Sequence, residues 1–313
     1  MNEYTIRLVG PDERPARLSG ALIASLFETL DRSTRGAVRL RLDGRSVAKG
    51  TPPGWLARAA FFSLDAVEKQ QSILHLSAPA LGESIAAGTP QYELVAETDA
   101  KKTALTLMTE GLQDALSGTD QTDTYDEPLL RTFESFKTIF HQGVMGFQLK
   151  NGGLQQPPLD IAAAALDAFE DLHPKNYEPR FVRVAGLLNT IRHSDKAFVL
   201  QLGAGTSVRG ILQEGAQALP EFFGKIVVVS GQALFRPTGS LLRIDASRID
   251  AANEADRSLW SALPAPFETP IHRREVYQQQ GPRSGVSAAF GKWPRTLSQE
   301  ETERVASLLT GLQ

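Results

Sequence analysis

Between residues 180 and 249 the chain divides into five short runs, RFVRVAGLL, KAFVLQLG, TSVRGIL, KIVVVSGQAL and GSLLRIDAS. Each is the length of a strand and too short for a core helix. Alternation is explicit in three of them. Val182, Val184, Val208, Leu242 and Ile244 fall on one side, which sends Arg183, Arg209 and Arg243 to the other. GKIVVVSGQALFRPTGSLLRID, residues 224–245, reads as strand, turn, strand. So many short strands in sequence are the signal of a small β-barrel.

The segment EGAQALPEFF separates the third strand from the fourth. Three strands, a short helical connector and two more strands resemble the OB-fold, a five-stranded Greek-key barrel. The resemblance is one of topology. Gly186 is expected to supply the bulge that bends the first strand, GAGT at 203–206 to close a hairpin, and Pro220 to interrupt the connector helix. It implies a binding surface on strands two and three and the neighbouring loops, where such barrels hold oligonucleotides. The segment itself has nine Lys or Arg against four acids. Arg183, Arg209, Lys225, Arg236 and Arg243 are therefore the candidate contacts to single-stranded nucleic acid, because a guanidinium row can follow a phosphate backbone. Stacking platforms are scarce: Phe198 alternates with Leu200 and Leu202 as a core residue would, leaving Phe235, beside Arg236, as the candidate.

The rest of the 313 residues reads as α+β. EYTIRLVG is a strand ended by Gly10-Pro11, and ARLSGALIASLFETLDR has helical spacing. GAVRLRLDGRS alternates as a half-wet strand, with Asp43 and Arg45 as structural charges at its end. AAFFSLDAV and QSILHLSAP make a hairpin, and three helices follow over KKTALTLMTEGLQDAL, EPLLRTFESFKTIFHQ and DIAAAALDAFEDLH. The expected order is an N-terminal mixed sheet with helices (1–98), a helical extension (99–175), the OB-like barrel (180–250), and a linker, tail and C-terminal helix (251–313). Pro264, Pro266 and Pro270 stiffen the linker, and Ser298 and Glu301 have capping-box spacing in the last helix.

Chemistry-bearing motifs fail on inspection. Without cysteine there is no thiolate nucleophile or disulfide, and the natural compartment is a reducing one. The five histidines lack paired metal spacing. GTSVR has Arg209 where a nucleophile elbow needs glycine, GKI lacks the phosphate-loop pattern, and GAGTSV has Val208 where a dinucleotide fingerprint needs glycine. Asp120, Asp123 and Asp126 recur at intervals of three, but without the alternate ligands and turn glycine of a calcium loop they read as a solvated segment. The net charge of −3 exerts no global pull on polyanions. No secretory leader or spanning stretch is visible, so the expected location is cytoplasmic.

AAFGKWP places Phe290, Trp293 and Pro294 in the tail as candidate partner contacts. The G-x-W-P run followed by an acidic helix resembles the C-terminal tails of small prokaryotic proteins encoded beside PIN-type ribonuclease toxins. That resemblance implies a protein partner, a toxin or nuclease, and an antitoxin-like or phage-defence sensing role. The expectation is a non-enzymatic binding protein with no cofactor and no metal; the rival is an enzyme using carboxylates such as Asp126 and Glu134.

Overall fold

The computed structural model describes residues 1–48, 50–86, 99–152, 158–192, 196–202, 205–212 and 220–266. Most of the connector and half of the GAGT turn lie outside these residues. Met1–Glu268 is one compact unit with two hydrophobic cores, and the fold is α+β.

The first core lies between a sheet and a layer of helices. Strands β1 (Asn2–Val9), β2 (Ser63–Glu68), β3 (Ile73–Ala78), β4 (Gly146–Asn151) and β5 (Leu159–Ala162) order as β2-β3-β1-β4-β5, with every ladder antiparallel. Alternation in β1 buries Tyr4, Ile6 and Leu8. They meet Leu22, Leu26 and Leu30 of helix α1 (Gly20–Asp43), and Leu105, Met108 and Leu112 of a later helix, Ala104–Leu116. Between these two helices come α2 (Gly54–Ala59) and α3 (Leu81–Ser84), so Ala104–Leu116 is α4. Helix α5 (Glu127–Glu134) and α6 (Lys137–Phe140) complete the layer.

Three sequence expectations are corrected. GAVRLRLDGRS is no strand: it continues α1, whose buried positions Leu26, Leu30, Ser33, Ala37 and Leu40 keep the helical interval, with no proline between them. The helix of 127–142 is split at Ser135 and Phe136. DIAAAALDAFEDLH begins as β5, because the free edge of β4 takes Leu159–Ala162 as its ladder partner before the alanines turn helical in α7 (Ala163–Asp167).

The second core fills a closed five-stranded mixed barrel of β6 (Arg180–Arg192), β7 (Ala197–Gln201), β8 (Ser207–Leu212), β9 (Ile226–Phe235) and β10 (Leu241–Ala251). The order around the barrel is β6-β7-β8-β10-β9, with β8 and β10 parallel and the other ladders antiparallel, consistent by topology with an OB-like barrel. The bulge falls between Leu188 and Thr190, not at Gly186. Gly186 serves close approach instead, since a Cβ there would lie 2.7 Å from the Gln201 carbonyl oxygen. Helix α8 (Glu254–Leu259) follows β10 and packs beside β6 and β9. Among the described residues no helix is long and apolar enough to cross a membrane.

Candidate functional site

The end of α1 brings the N-terminal layer onto the barrel. Gly44 stops the helix in the left-handed region at φ 72°, its N–H donating to the Leu40 carbonyl at 2.9 Å. A Cβ at this position would lie 2.5 Å from the Phe235 carbonyl oxygen, so glycine serves both the cap and the contact. Arg243 of β10 donates through Nη1 to the Leu42 carbonyl, pairs with Asp43 at 3.2 Å and bonds Asp245 at 2.7 Å. Burial opposes its charge, yet Asp245 and Asp43 outweigh that and hold the guanidinium above its ordinary range.

Beside this junction the turn joining β9 to β10 is closed by Arg236 N–H donating to Ser240 O at 2.9 Å and Gly239 N–H to Arg236 O at 2.8 Å. Asp123, from the loop after α4, holds the turn from outside: its carboxylate accepts from Thr238 N at 3.2 Å and Thr238 Oγ1 at 2.6 Å, and lies 3.9 Å from Arg236. In the last turn of α1, Arg41 makes a two-pronged bond to Asp99, 2.7 Å from Nε and 3.1 Å from Nη2, and that bond raises the Arg41 pKa.

These elements enclose a cleft of about 540 Å³. Its charged lining is Arg41, Asp99, Arg209 and Arg236, its hydroxyls come from Thr206, Ser207 and Ser240, and Leu241, Leu242 and Leu263 supply apolar wall. Residues 263–265 form one side, anchored by Arg180 Nη1 donating to Ala265 O at 2.7 Å. Among the described residues that line it there is no aromatic side chain.

Of the five cations expected on this face, Arg209 and Arg236 come together in the cleft. Arg183 is exposed on β6 and Lys225 is exposed at the foot of β9; neither lines it. Arg243 is corrected from an outward contact to a side chain 8% exposed, because α1 covers that part of β10. Phe235 is corrected as well: it is buried at 2% and cannot stack on a base. Phe198 is in the barrel core as expected. Phe290, Trp293 and Pro294 lie outside the described residues. Sequence reasoning missed Arg41, whose segment it read as a strand; the helical interval through Ala37 and Leu40 was the signal available.

The rival carboxylates do not converge. Asp126 is fully buried as the N-cap of α5, accepting from Leu129 N at 3.0 Å, Ser46 N at 2.8 Å and Ser46 Oγ at 2.5 Å. Burial pushes its carboxyl up against the pull of those bonds. Glu134 ends the same helix, about 12 Å away at the helical rise. No group of three His, Asp or Glu among the described residues could hold a metal ion. In sequence, the chain matches no model of a known protein family and no curated protein.

Proposed function

We propose that this is a binding protein whose barrel, acting as an OB-fold does, holds a phosphate-bearing ligand of the nucleic-acid class in the cleft between β8, the β9–β10 turn and the end of α1. The observation that carries the reading is the convergence of Arg41, Arg209 and Arg236 with three hydroxyl side chains in one concave site. Guanidinium forks match phosphate oxygens in pairs, and hydroxyls add donors without sequence information. A second, separable role, capture of a protein partner in an antitoxin-like or sensing pair, rests on Phe290, Trp293 and Pro294 in the tail sequence.

The test is fluorescence anisotropy with a 5′-phosphorylated thymidine dodecamer labelled at its 3′ end. Affinity is expected to fall with added salt, and Arg209→Ala and Arg236→Ala each to weaken binding by roughly ten- to 150-fold, in line with about 1.5–3 kcal/mol per charged hydrogen-bonding contact. Arg183→Ala is expected to change affinity less than twofold. Absence of binding at low salt, or equal effects of all three substitutions, would overturn the assignment.

A further inference from the structure

Resting on that reading, we infer that the cleft selects ribose over deoxyribose: Ser240, its proton turned away from the ligand, accepts a hydrogen bond from a 2′-hydroxyl beside the bound phosphate.

Asp123 fixes the direction of two hydroxyl protons in turn. Its Oδ1 stands 2.6 Å from Thr238 Oγ1, the separation of an O–H that donates to a carboxylate. A carboxylate has no proton to give, so Thr238 is the donor. The reverse orientation would set lone pair against lone pair at that distance. Thr238 N–H donates to the same oxygen at 3.2 Å and keeps the residue in this position. Thr238 Oγ1 lies 3.1 Å from Ser240 Oγ. With its one proton given to Asp123, Thr238 can only accept from Ser240, and Ser240 must donate. Ser240 is left with lone pairs to offer.

Those lone pairs belong to the site. Arg236 and Ser240 face each other at the base of the β9–β10 turn, Arg236 N–H donating to the Ser240 carbonyl, and both residues line the cleft. Asp123 reaches the same turn from the loop after α4, so the bonds run from the first layer through Thr238 to the ligand side of the barrel. It acts as a positioning residue, setting the polarity of Ser240 without being the group that meets the ligand.

A phosphate oxygen is an acceptor and is repelled by an acceptor. A phosphate held by Arg236 therefore has to bring a donor, and not one of its own oxygens, against Ser240. In a nucleic-acid strand the unit next to the phosphate is the sugar. Deoxyribose inside a strand has no hydroxyl to donate, whereas ribose has its 2′-OH, the group by which a protein tells RNA from DNA. A freely rotating serine would not discriminate in this way, because it donates or accepts as the ligand requires.

The experiment is fluorescence anisotropy on the full chain with three dodecamers, of uridine, 2′-deoxyuridine and 2′-deoxy-2′-fluorouridine, each 5′-phosphorylated and labelled at its 3′ end. Base and charge are the same in all three. The ribo strand is expected to bind roughly three- to tenfold more tightly than the deoxy strand, the size of one neutral hydrogen bond. The fluoro strand, which keeps a ribose-like pucker but has no proton at that position, is expected to bind like the deoxy strand. Ser240→Ala and Thr238→Val should each bring the ribo-to-deoxy ratio to within about twofold, and Thr238→Ser should preserve it, since only the hydroxyl is needed to hold Ser240 as an acceptor. A ratio separates this effect from a general loss of affinity or fold. A fluoro strand as tight as the ribo strand would assign the preference to sugar pucker, and a ratio that survives Ser240→Ala or Thr238→Val would assign it to other contacts; either overturns the inference. Equal binding of ribo and deoxy strands also overturns it, and leaves the anion-binding reading intact. If none of the strands binds at low salt, both readings fall.

Discussion

Tyr125 is fully buried, donates its hydroxyl to the Thr119 carbonyl at 2.7 Å, and has its phenol pushed up to about 12 by burial, with Asp120 and Asp114 adding to the shift. In the unfolded chain a tyrosine loses its proton near pH 10. The folded state therefore keeps the proton over the interval between, and the stability this brings is complete below about pH 10 and is lost as pH rises through about 12. At about 1.4 kcal/mol per unit the loss amounts to roughly 2–3 kcal/mol. Urea unfolding measured at steps across that interval is expected to fall less steeply for Tyr125→Phe than for wild type, with Tyr4, whose pKa is also raised by burial, supplying part of the remaining slope. Identical slopes would reject the shift. Neighbouring Asp126 shows why single carboxylates mislead in a sequence: as a spacing of three with Asp120 and Asp123 it suggested a solvated loop, whereas one member caps a helix and another clasps a turn on the barrel.

Local chemistry governs the elements where both faces and both ends are set by neighbours in sequence. Ser19 caps α1 by accepting from Leu22 N at 3.1 Å and Thr103 caps α4 by accepting from Thr106 N at 3.1 Å. All five barrel strands were legible as short runs, three of them by an alternation that survives inside a closed barrel. Element identity failed at β5, where a free sheet edge intervened, and in the second half of α1, where a helical interval was read as alternation. Within the barrel, Gly210 is the tightest position: a Cβ would fall 2.1 Å from the Phe198 ring. Gly210→Ala is expected to destabilise by about 1–3 kcal/mol through overpacking. Combining it with Phe198→Leu should recover part of that loss, the non-additivity expected of residues in contact. Denaturant midpoints of the two single variants and the double variant measure it; strict additivity would place the strain elsewhere.

At the scale of Met1–Glu268 there are two cores, and one buried cation, Arg243, lies where the end of α1 meets the barrel. Arg243→Ala would leave Asp43, Asp245 and the Leu42 carbonyl without their shared donor. Removing one partner from a buried pair costs about 3–5 kcal/mol, so chemical unfolding should report a loss of that size. Hydrogen exchange should show barrel amides opening separately from those of α1. A loss under about 1 kcal/mol, with exchange unchanged, would mean that packing alone joins the cores. By itself, the amino-acid order determined that the chain is α+β and where the five barrel strands lie, because period and turn chemistry act over a few residues. Which arginines meet in the cleft was decided only by the tertiary structure. Arg41 and Arg209 are separated by most of the first core, and the covering of Arg243 depends on where a helix 200 residues earlier in the chain comes to its end.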